Sequence, residues 1–533
     1  MAKVKQTSFK LSGGEGDAGS TKNYVLSLDI GTSNIRCHVY DKKVNMVGRS
    51  CQPIKIKYIG SQGVEIDPDE LWQQVLEVMK GALEDAKITA DEAAALGISV
   101  QRGTFLLWDK ETGKPFHNFI VWQDTRGEKI ERDWNESYTM KVVKAGGKVA
   151  HSFSRQKRFM AAAVINFRTN HVTIRLLWAL EQNKKLRPLA KEGKVRLGTL
   201  DTWLIWKFTC GKTYCTEMSN ASSTGIYDPF IQDWNSFFCN LMSVPYRVFP
   251  PVWDTNADFG VCDAKFFGSE IPIRAALGDQ QSAMYGQCCF KAGEVKLTMG
   301  TGTFMCMNIA EKPHASVEGF YPVTAWKRGS EIVHLAEGSC NTAGDAIDWL
   351  VRVFGIESPA HTEAIAKSVS DTNGVYFVPA FSGLQAPDND FSACGSLMGL
   401  KGSTSRAQIV RAVLESLAFK NAQIFVAMTS EVSYPVKRVV CDGGVTANNF
   451  IMQLTSDLID QPIQRMKKTD MSALGAAFMA GRAVGVWKDD DCLKDLLTVE
   501  TIFYPDKKRA QKYAPIIAEW KKAIERSKKW YQK

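Results

Sequence analysis

With 533 residues, 45% apolar and 23% charged, the chain is long enough for two domains and has the composition of a folded protein. Sixty-six Lys and Arg against 57 Asp and Glu leave a net charge of +9, a mild surplus that reads as a solvated surface, not a nucleic-acid footprint. Thirteen cysteines without a CxxC pair, seven dispersed histidines and no apolar run near the ~18 residues of a membrane span argue against a metal framework or integral membrane association, and for a reduced cytoplasmic protein.

Residues 1–21 are polar and aperiodic and are expected to be a disordered leader. A strand-like run from Tyr24 to Asp29, the turn Gly31-Thr32-Ser33-Asn34 and a second run from Ile35 to Tyr40 predict a hairpin. Asp67-Pro68-Asp69-Glu70 opens a helix: Asp67 suits the cap, Pro68 the first position, and the acids the positive dipole end. Its apolar face is Leu71, Val75, Leu76, Met79 and Leu83, and Ala94 to Val100 reads as a strand again. This alternation predicts an α/β architecture.

The second half begins in the same way, with a strand at Lys296–Met299, a turn Gly300-Thr301-Gly302-Thr303 and a returning strand at Phe304–Asn308. Two such units predict two domains on related plans, 22–272 and 273–533. A strand at Val436–Cys441, a Gly443-Gly444 turn and a helix bearing Phe450, Leu454 and Leu458 follow, then a helix from Met471 to Val484. The basic C-terminal helix after Lys507, with Tyr513, Ile516, Trp520 and Ile524 on one face, is expected to pack on its own domain.

A single Gly/Thr turn is an ordinary hairpin turn. Two in corresponding positions, with Gly443-Gly444 as a third, point to backbone amides gathered around phosphate. A Walker A loop is absent, because Gly211-Lys212-Thr213 would need glycine where Trp206 stands. Asp29 and Asp279 each end an apolar strand beside such a turn. Their position leaves two readings open: turn caps, or carboxylates for a cation and for a hydroxyl proton in phosphoryl transfer.

These residues resemble the FGGY carbohydrate kinase family, the glycerol kinases in particular. The matching pieces run from about Tyr24 to Trp530 and include Ser27-Leu28-Asp29-Ile30-Gly31-Thr32, Gly198-Thr199-Leu200-Asp201-Thr202-Trp203, Gly278-Asp279-Gln280-Gln281 and Asp442-Gly443-Gly444. Val100-Gln101-Arg102-Gly103-Thr104-Phe105 is similar to the divergent glycerol kinase 5 branch of animals. The resemblance implies an α/β, two-domain actin/hexokinase-like (ribonuclease H-like) ATPase fold with an interdomain cleft. It implies ATP-dependent phosphorylation of glycerol to sn-glycerol 3-phosphate, with Mg2+, and leaves a homo-oligomer open. By the same resemblance Asp279 is the general base and Asp29 lies by the Mg2+–phosphate group. Gly31, Thr32, Ser33, Gly300 and Thr301 meet phosphates, while Gly344, Gly444 and Asn448 line the nucleotide site. Arg102, Trp122, Asp279, Gln280 and Phe304 form the polyol pocket.

The pocket also departs from the glycerol kinase pattern. Gly103 stands where a glutamate is expected, Asn170 to Trp178 breaks the first signature, and Cys394 replaces an arginine. The Gly/Arg loop that serves fructose bisphosphate control is missing before Ile271. Gln123-Asp124-Thr125-Arg126 is similar to an arrangement in sugar-kinase relatives. Two alternatives therefore stand beside a glycerol kinase: a kinase for another polyol or ketose, and a low-turnover nucleotide-binding regulator.

Overall fold

The computed structural model describes residues 22–468 and 470–531; the leader expected over residues 1–21 lies outside them. Strands β1 (Tyr24–Ile30) and β2 (Asn34–Tyr40) form the expected hairpin, and β3 (Met46–Pro53) continues it antiparallel. Helix α1 (Pro68–Ala86) begins where the Asp67 side chain accepts from the amides of Asp69 and Glu70. It buries Leu71, Trp72, Val75, Val78, Met79 and Leu83 in the core behind that sheet. Strand β4 (Ala93–Val100) lies parallel to β1, and β5 (Val261–Cys262) and β6 (Ile271–Gly278) complete six strands in the order β5-β6-β4-β1-β2-β3.

The first sheet reaches past the expected division between residues 272 and 273. Strand β6 pairs parallel with β4, burying Ile273, Ala275, Ala276 and Leu277, so a boundary there would cut a central strand. The chain leaves the sheet only at Gly278, directly into helix α2 (Asp279–Gly286).

The second sheet contains β7 (Glu294–Met299), β8 (Thr303–Asn308), β9 (Tyr321–Arg328), β10 (Glu331–Cys340), β11 (Arg438–Asp442), β12 (Ile463–Met466) and β13 (Val499–Phe503). Their order is β9-β10-β8-β7-β11-β12-β13. Strands β10-β8-β7 are antiparallel, β11 and β12 join parallel, and β13 closes antiparallel. The first sheet follows the same plan in β3-β2-β1, β4, β6 and β5. Two units on one plan, as the paired hairpins predicted, make this a two-domain α/β fold.

Around the second sheet lie α3 (Gly344–Phe354), α4 (Arg406–Glu431), α5 (Asn449–Ile459), α6 (Met471–Ala483) and α7 (Lys507–Ser527). Helices α2 and α6 share a core with both sheets: Val25, Ala95, Ala275 and Leu277 on one side, Cys306, Leu335 and Val440 on the other. The two helices cross at backbone contact. A Cβ on Gly475 would come within 1.7 Å of the Ser282 carbonyl oxygen. Helix α7 packs on its own domain, with the Trp520 indole donating to the Phe377 carbonyl at 2.8 Å and the Tyr513 hydroxyl to Glu415 at 2.7 Å.

Candidate active site

Strands β1, β4 and β6 run parallel, so their carboxyl ends open on one edge of the first sheet, where α/β proteins bind ligands. Asp29 is the penultimate residue of β1, and Asp279 is the first of α2. Asp29 is buried; its Oδ2 accepts from the Ser472 hydroxyl at 2.9 Å and lies 3.7 Å from Arg36 Nε. Its Oδ1 is buried without a hydrogen bond of full geometry, and the nearby Ser99 hydroxyl favours the ionised carboxylate. Burial pushes the Asp29 carboxyl up, Arg36 opposes it, and the charge of Asp279 adds to the rise.

Asp279 keeps 24% of its side chain open. Enclosure raises its pKa above the ordinary aspartate value; Arg102 and Lys296 pull it back, and Glu337 pushes it further up. The Arg102 stem lies over Gly278, and its guanidinium forks onto Glu337 of β10 with two contacts of 2.9 Å, while Nε stands 3.5 Å from Asp279 Oδ1. Burial works against that charge, but Glu337 and Asp279 outweigh it and hold the guanidinium pKa above its usual value. An arginine from the first unit is thereby tied to a carboxylate of the second.

The adjoining wall is equally constrained. The Gln280 side-chain oxygen accepts from the ammonium of the wholly buried Lys296 of β7. Phe304 shares one face of β8 with Cys306, whose thiol lies 3.6 Å from Glu337 Oε2. The Trp122 indole donates to Thr32 Oγ1 at 3.1 Å, joining the expected pocket to the first Gly/Thr turn.

The second turn is bound to α3: the Gly344 amide donates to the Gly300 carbonyl and the Ala343 amide to the Thr301 carbonyl, both at 3.0 Å. A Cβ on Gly344 would sit 2.6 Å from that Gly300 oxygen, so only glycine lets the helix start approach the turn. Gly443, between β11 and Gly444, abuts Met299 at the end of β7, which brings the third turn beside the second. Two expected residues are less free to bind. Asn448 caps α5 by accepting from the Ile451 amide and also donates to Thr362, and exposed Ser33 accepts from the Ile54 amide through its carbonyl.

The departures have physical counterparts. Gly103 has φ +73°, and a Cβ there would meet the Asn170 carbonyl oxygen at 3.1 Å and Arg175 Nη2 at 3.3 Å. Arg175 comes from the divergent segment and is fully buried, donating to the carbonyls of Gly103, Asn170, Thr169 and Ile120. Burial pulls its pKa down to about 9, with Asp124 opposing. Asp124 and Arg126 pair with each other at 2.7 Å, Arg126 also reaches Glu65 at 2.7 Å, and its guanidinium lies 4.0 Å over Trp178. This network holds the wall together.

Sequence reasoning missed Glu337, Lys296, Ser472 and Arg36 as neighbours of the site. The available signal was a charge inside an apolar strand: Lys296 in Val295-Lys296-Leu297 and Glu337 in Leu335-Ala336-Glu337.

Residues 24–286 match the N-terminal domain and 295–484 the C-terminal domain of the FGGY family of carbohydrate kinases. The chain belongs to that family. As an FGGY kinase it is a phosphotransferase with an alcohol group as acceptor, and family membership implies use of ATP. It is 47% identical over 515 residues to glycerol kinase 5 of Danio rerio, covering 96% of this chain and 97% of that protein. Glycerol kinase 2 of Thermotoga maritima is 38% identical, with 95% and 99% covered. The crystal structure of Plasmodium falciparum glycerol kinase with ADP superposes with a TM-score of 0.84 at 31% identity, over 95% of this FGGY kinase and 98% of that chain.

Proposed function

We propose that the protein phosphorylates glycerol to sn-glycerol 3-phosphate with ATP, using Asp279 as general base. The observation that carries this reading is the Asp279–Arg102–Glu337 cluster, which joins the carboxyl edge of the first sheet to β10 of the second. Arg102 and Gln280 present donors to polyol hydroxyls, and Trp122 and Phe304 wall the carbon chain. A hydroxyl proton passes to an Asp279 carboxylate oxygen as the alkoxide oxygen attacks the γ-phosphorus and ADP leaves. A carboxyl raised by enclosure is a better base near neutral pH than an exposed aspartate. Thr32, Ser33 and Thr301 hold phosphate oxygens through amides and hydroxyls. Gly31 and Gly300, whose amides close their own turns onto Asn34 and Gly302, let the phosphates approach the backbone, and Gly344, Gly444 and Asn448 border the rest of the nucleotide.

Asp29 Oδ1, which no donor satisfies with full hydrogen-bond geometry, fits a divalent cation. Among the described residues no group of three or more His, Cys, Asp or Glu could hold a metal, so Mg2+ at Asp29 would take its remaining ligands from water and substrate phosphates. When bound, Mg2+ supplies neutralisation of the phosphate charge. All thirteen thiols are free, in keeping with a reducing cytoplasmic setting.

Gly103 favours a second reading, a larger polyol or ketose, because it offers no carboxylate to a glycerol hydroxyl, although the Asn170 carbonyl and Arg175 take the space its Cβ would enter. The engagement of Asp124 and Arg126 with each other and with Glu65 and Trp178 weighs against it. The test is ATP-dependent phosphorylation of glycerol, dihydroxyacetone, erythritol and xylulose beside Asp279→Asn. Turnover of glycerol lost in the variant supports the proposal; turnover confined to a larger substrate supports the second reading. ATP binding without turnover on any of the four would leave the regulator reading.

A further inference from the structure

The helix Tyr138–Ser154 contributes none of the candidate site residues and is packed on one face only. Met140 and Gly147 are buried, Val143 is partly buried, and a Cβ on Gly147 would meet the Ala163 amide nitrogen at 2.8 Å in the helix Lys157–Val164. On the other face Tyr138, Val142, Ala145, Val149 and Phe153 recur at intervals of four, three, four and four residues, the spacing of one helical stripe. That stripe is bare: Tyr138 is 82% exposed, Val142 52%, Val149 56% and Phe153 87%. Single exposed apolar side chains are ordinary, but an aligned row with an aromatic residue at each end is not.

The charge around the stripe is one-sided. Residues 138–164 carry six Lys and Arg (Lys141, Lys144, Lys148, Arg155, Lys157 and Arg158) and no acid; the last acid, Glu136, precedes the helix. Arg158 pairs with Asp228 and Lys144 donates to Asn166, whereas Lys141, Lys148, Arg155 and Lys157 are exposed and make no ion pair among the described residues.

We propose that this face is a peripheral docking surface for anionic lipid membranes. The helix would lie in the plane of the interface with Tyr138, Val142, Val149 and Phe153 among the acyl boundary and the free cations at headgroup level. A second copy of the chain fits less well, because a two-fold contact would set like cationic flanks against each other. A bilayer also needs no shape match, and the stripe is convex. No helix among the described residues is long and apolar enough to cross a membrane, so the association is superficial.

The test is co-sedimentation of the full-length protein with phosphatidylcholine vesicles, with and without about 30% phosphatidylserine, at low and high salt. Binding to the anionic vesicles should exceed binding to the neutral ones by roughly tenfold and fall with salt. Val142→Asp with Phe153→Asp should abolish it, and Lys141→Ala with Lys148→Ala should weaken it severalfold. Melting temperature and solution kinase activity should be unchanged, since these side chains are exposed and touch none of the candidate site residues. No binding to anionic vesicles, or undiminished binding by the Asp variant, overturns the proposal. A wild-type dimer that the Asp variant converts to monomer, without lipid binding, also overturns it and assigns the face to a second copy.

Discussion

Replacing Glu337 by glutamine tests how the cleft aims its arginine. Glu337 holds Arg102 through two contacts of 2.9 Å, with the side chains only 7% and 13% exposed. Glutamine keeps the shape but loses the charge and one acceptor, so one charge-assisted hydrogen bond of about 1.5–3 kcal/mol disappears. Arg102 then turns towards Asp279, already 3.5 Å away. kcat/KM for glycerol should fall by roughly ten- to a hundredfold, while ATP affinity stays within error. Asp279 also titrates differently. Glu337 pushes its pKa up and Arg102 pulls it down, so losing one and approaching the other both lower it. A base with a lowered pKa is ionised at lower pH, and the acid limb of the kcat/KM profile should move down. The measurement is a coupled ADP-release assay across pH, with calorimetric titration of an ATP analogue. An unmoved limb and an unchanged glycerol KM would refute the reasoning; an equal loss of ATP affinity would mean general damage.

Asp279→Asn should reduce glycerol turnover about 10²–10⁴-fold with nucleotide binding retained. Because enclosure raises the folded-state pKa of Asp279, its contribution to stability is present in acid and lost as pH rises through that value. The asparagine variant should therefore melt higher than wild type at neutral pH and no higher in acid, by calorimetry; equal melting at pH 7 contradicts this. Gly344→Ala puts a methyl 2.6 Å from the Gly300 carbonyl oxygen and should weaken an ATP analogue by about 1–3 kcal/mol, read by titration. Gly103→Glu restores a pocket acceptor and should lower the glycerol KM roughly tenfold. Gly103→Ala should leave KM alone, and both should melt lower because φ is +73° at that position.

Local signals carried most of the fold. The Asp67 cap, the apolar runs and the Gly/Thr turns depend on near neighbours, and each appears where expected. Asp29, Arg102, Trp122 and Asp279 could be singled out because they belong to short collinear motifs, and the fold sets Arg102 beside Asp279 and Trp122 on Thr32. Glu337 could not be, because its partner Arg102 lies 235 residues away and a lone charge in a strand does not name its counter-ion. Lys296 failed because a lone charge in a strand does not name its partner, even though Gln280 lies only 16 residues away. Asp124 and Arg126 carried the opposite risk, a pattern similar to sugar kinases that the fold commits to the wall of the pocket. The division after residue 272 missed because Gly268-Ser269 reads as a boundary turn, whereas strand pairing continues to Gly278.

Helix α6 also sets an order on synthesis. The Ser27 hydroxyl donates to the Ala473 carbonyl, 446 residues further on, and Val25, Ala95, Ala275 and Leu277 wait for the same helix. The ribosome finishes the first sheet and α2 about 185 residues before it reaches Met471, an interval of roughly 10–40 s at ordinary elongation rates. Throughout it, the nascent chain has a completed sheet with one apolar face uncovered. A truncation before Met471 leaves that face bare for good, so the N-terminal unit is a poor candidate for independent folding despite having all six strands of its sheet.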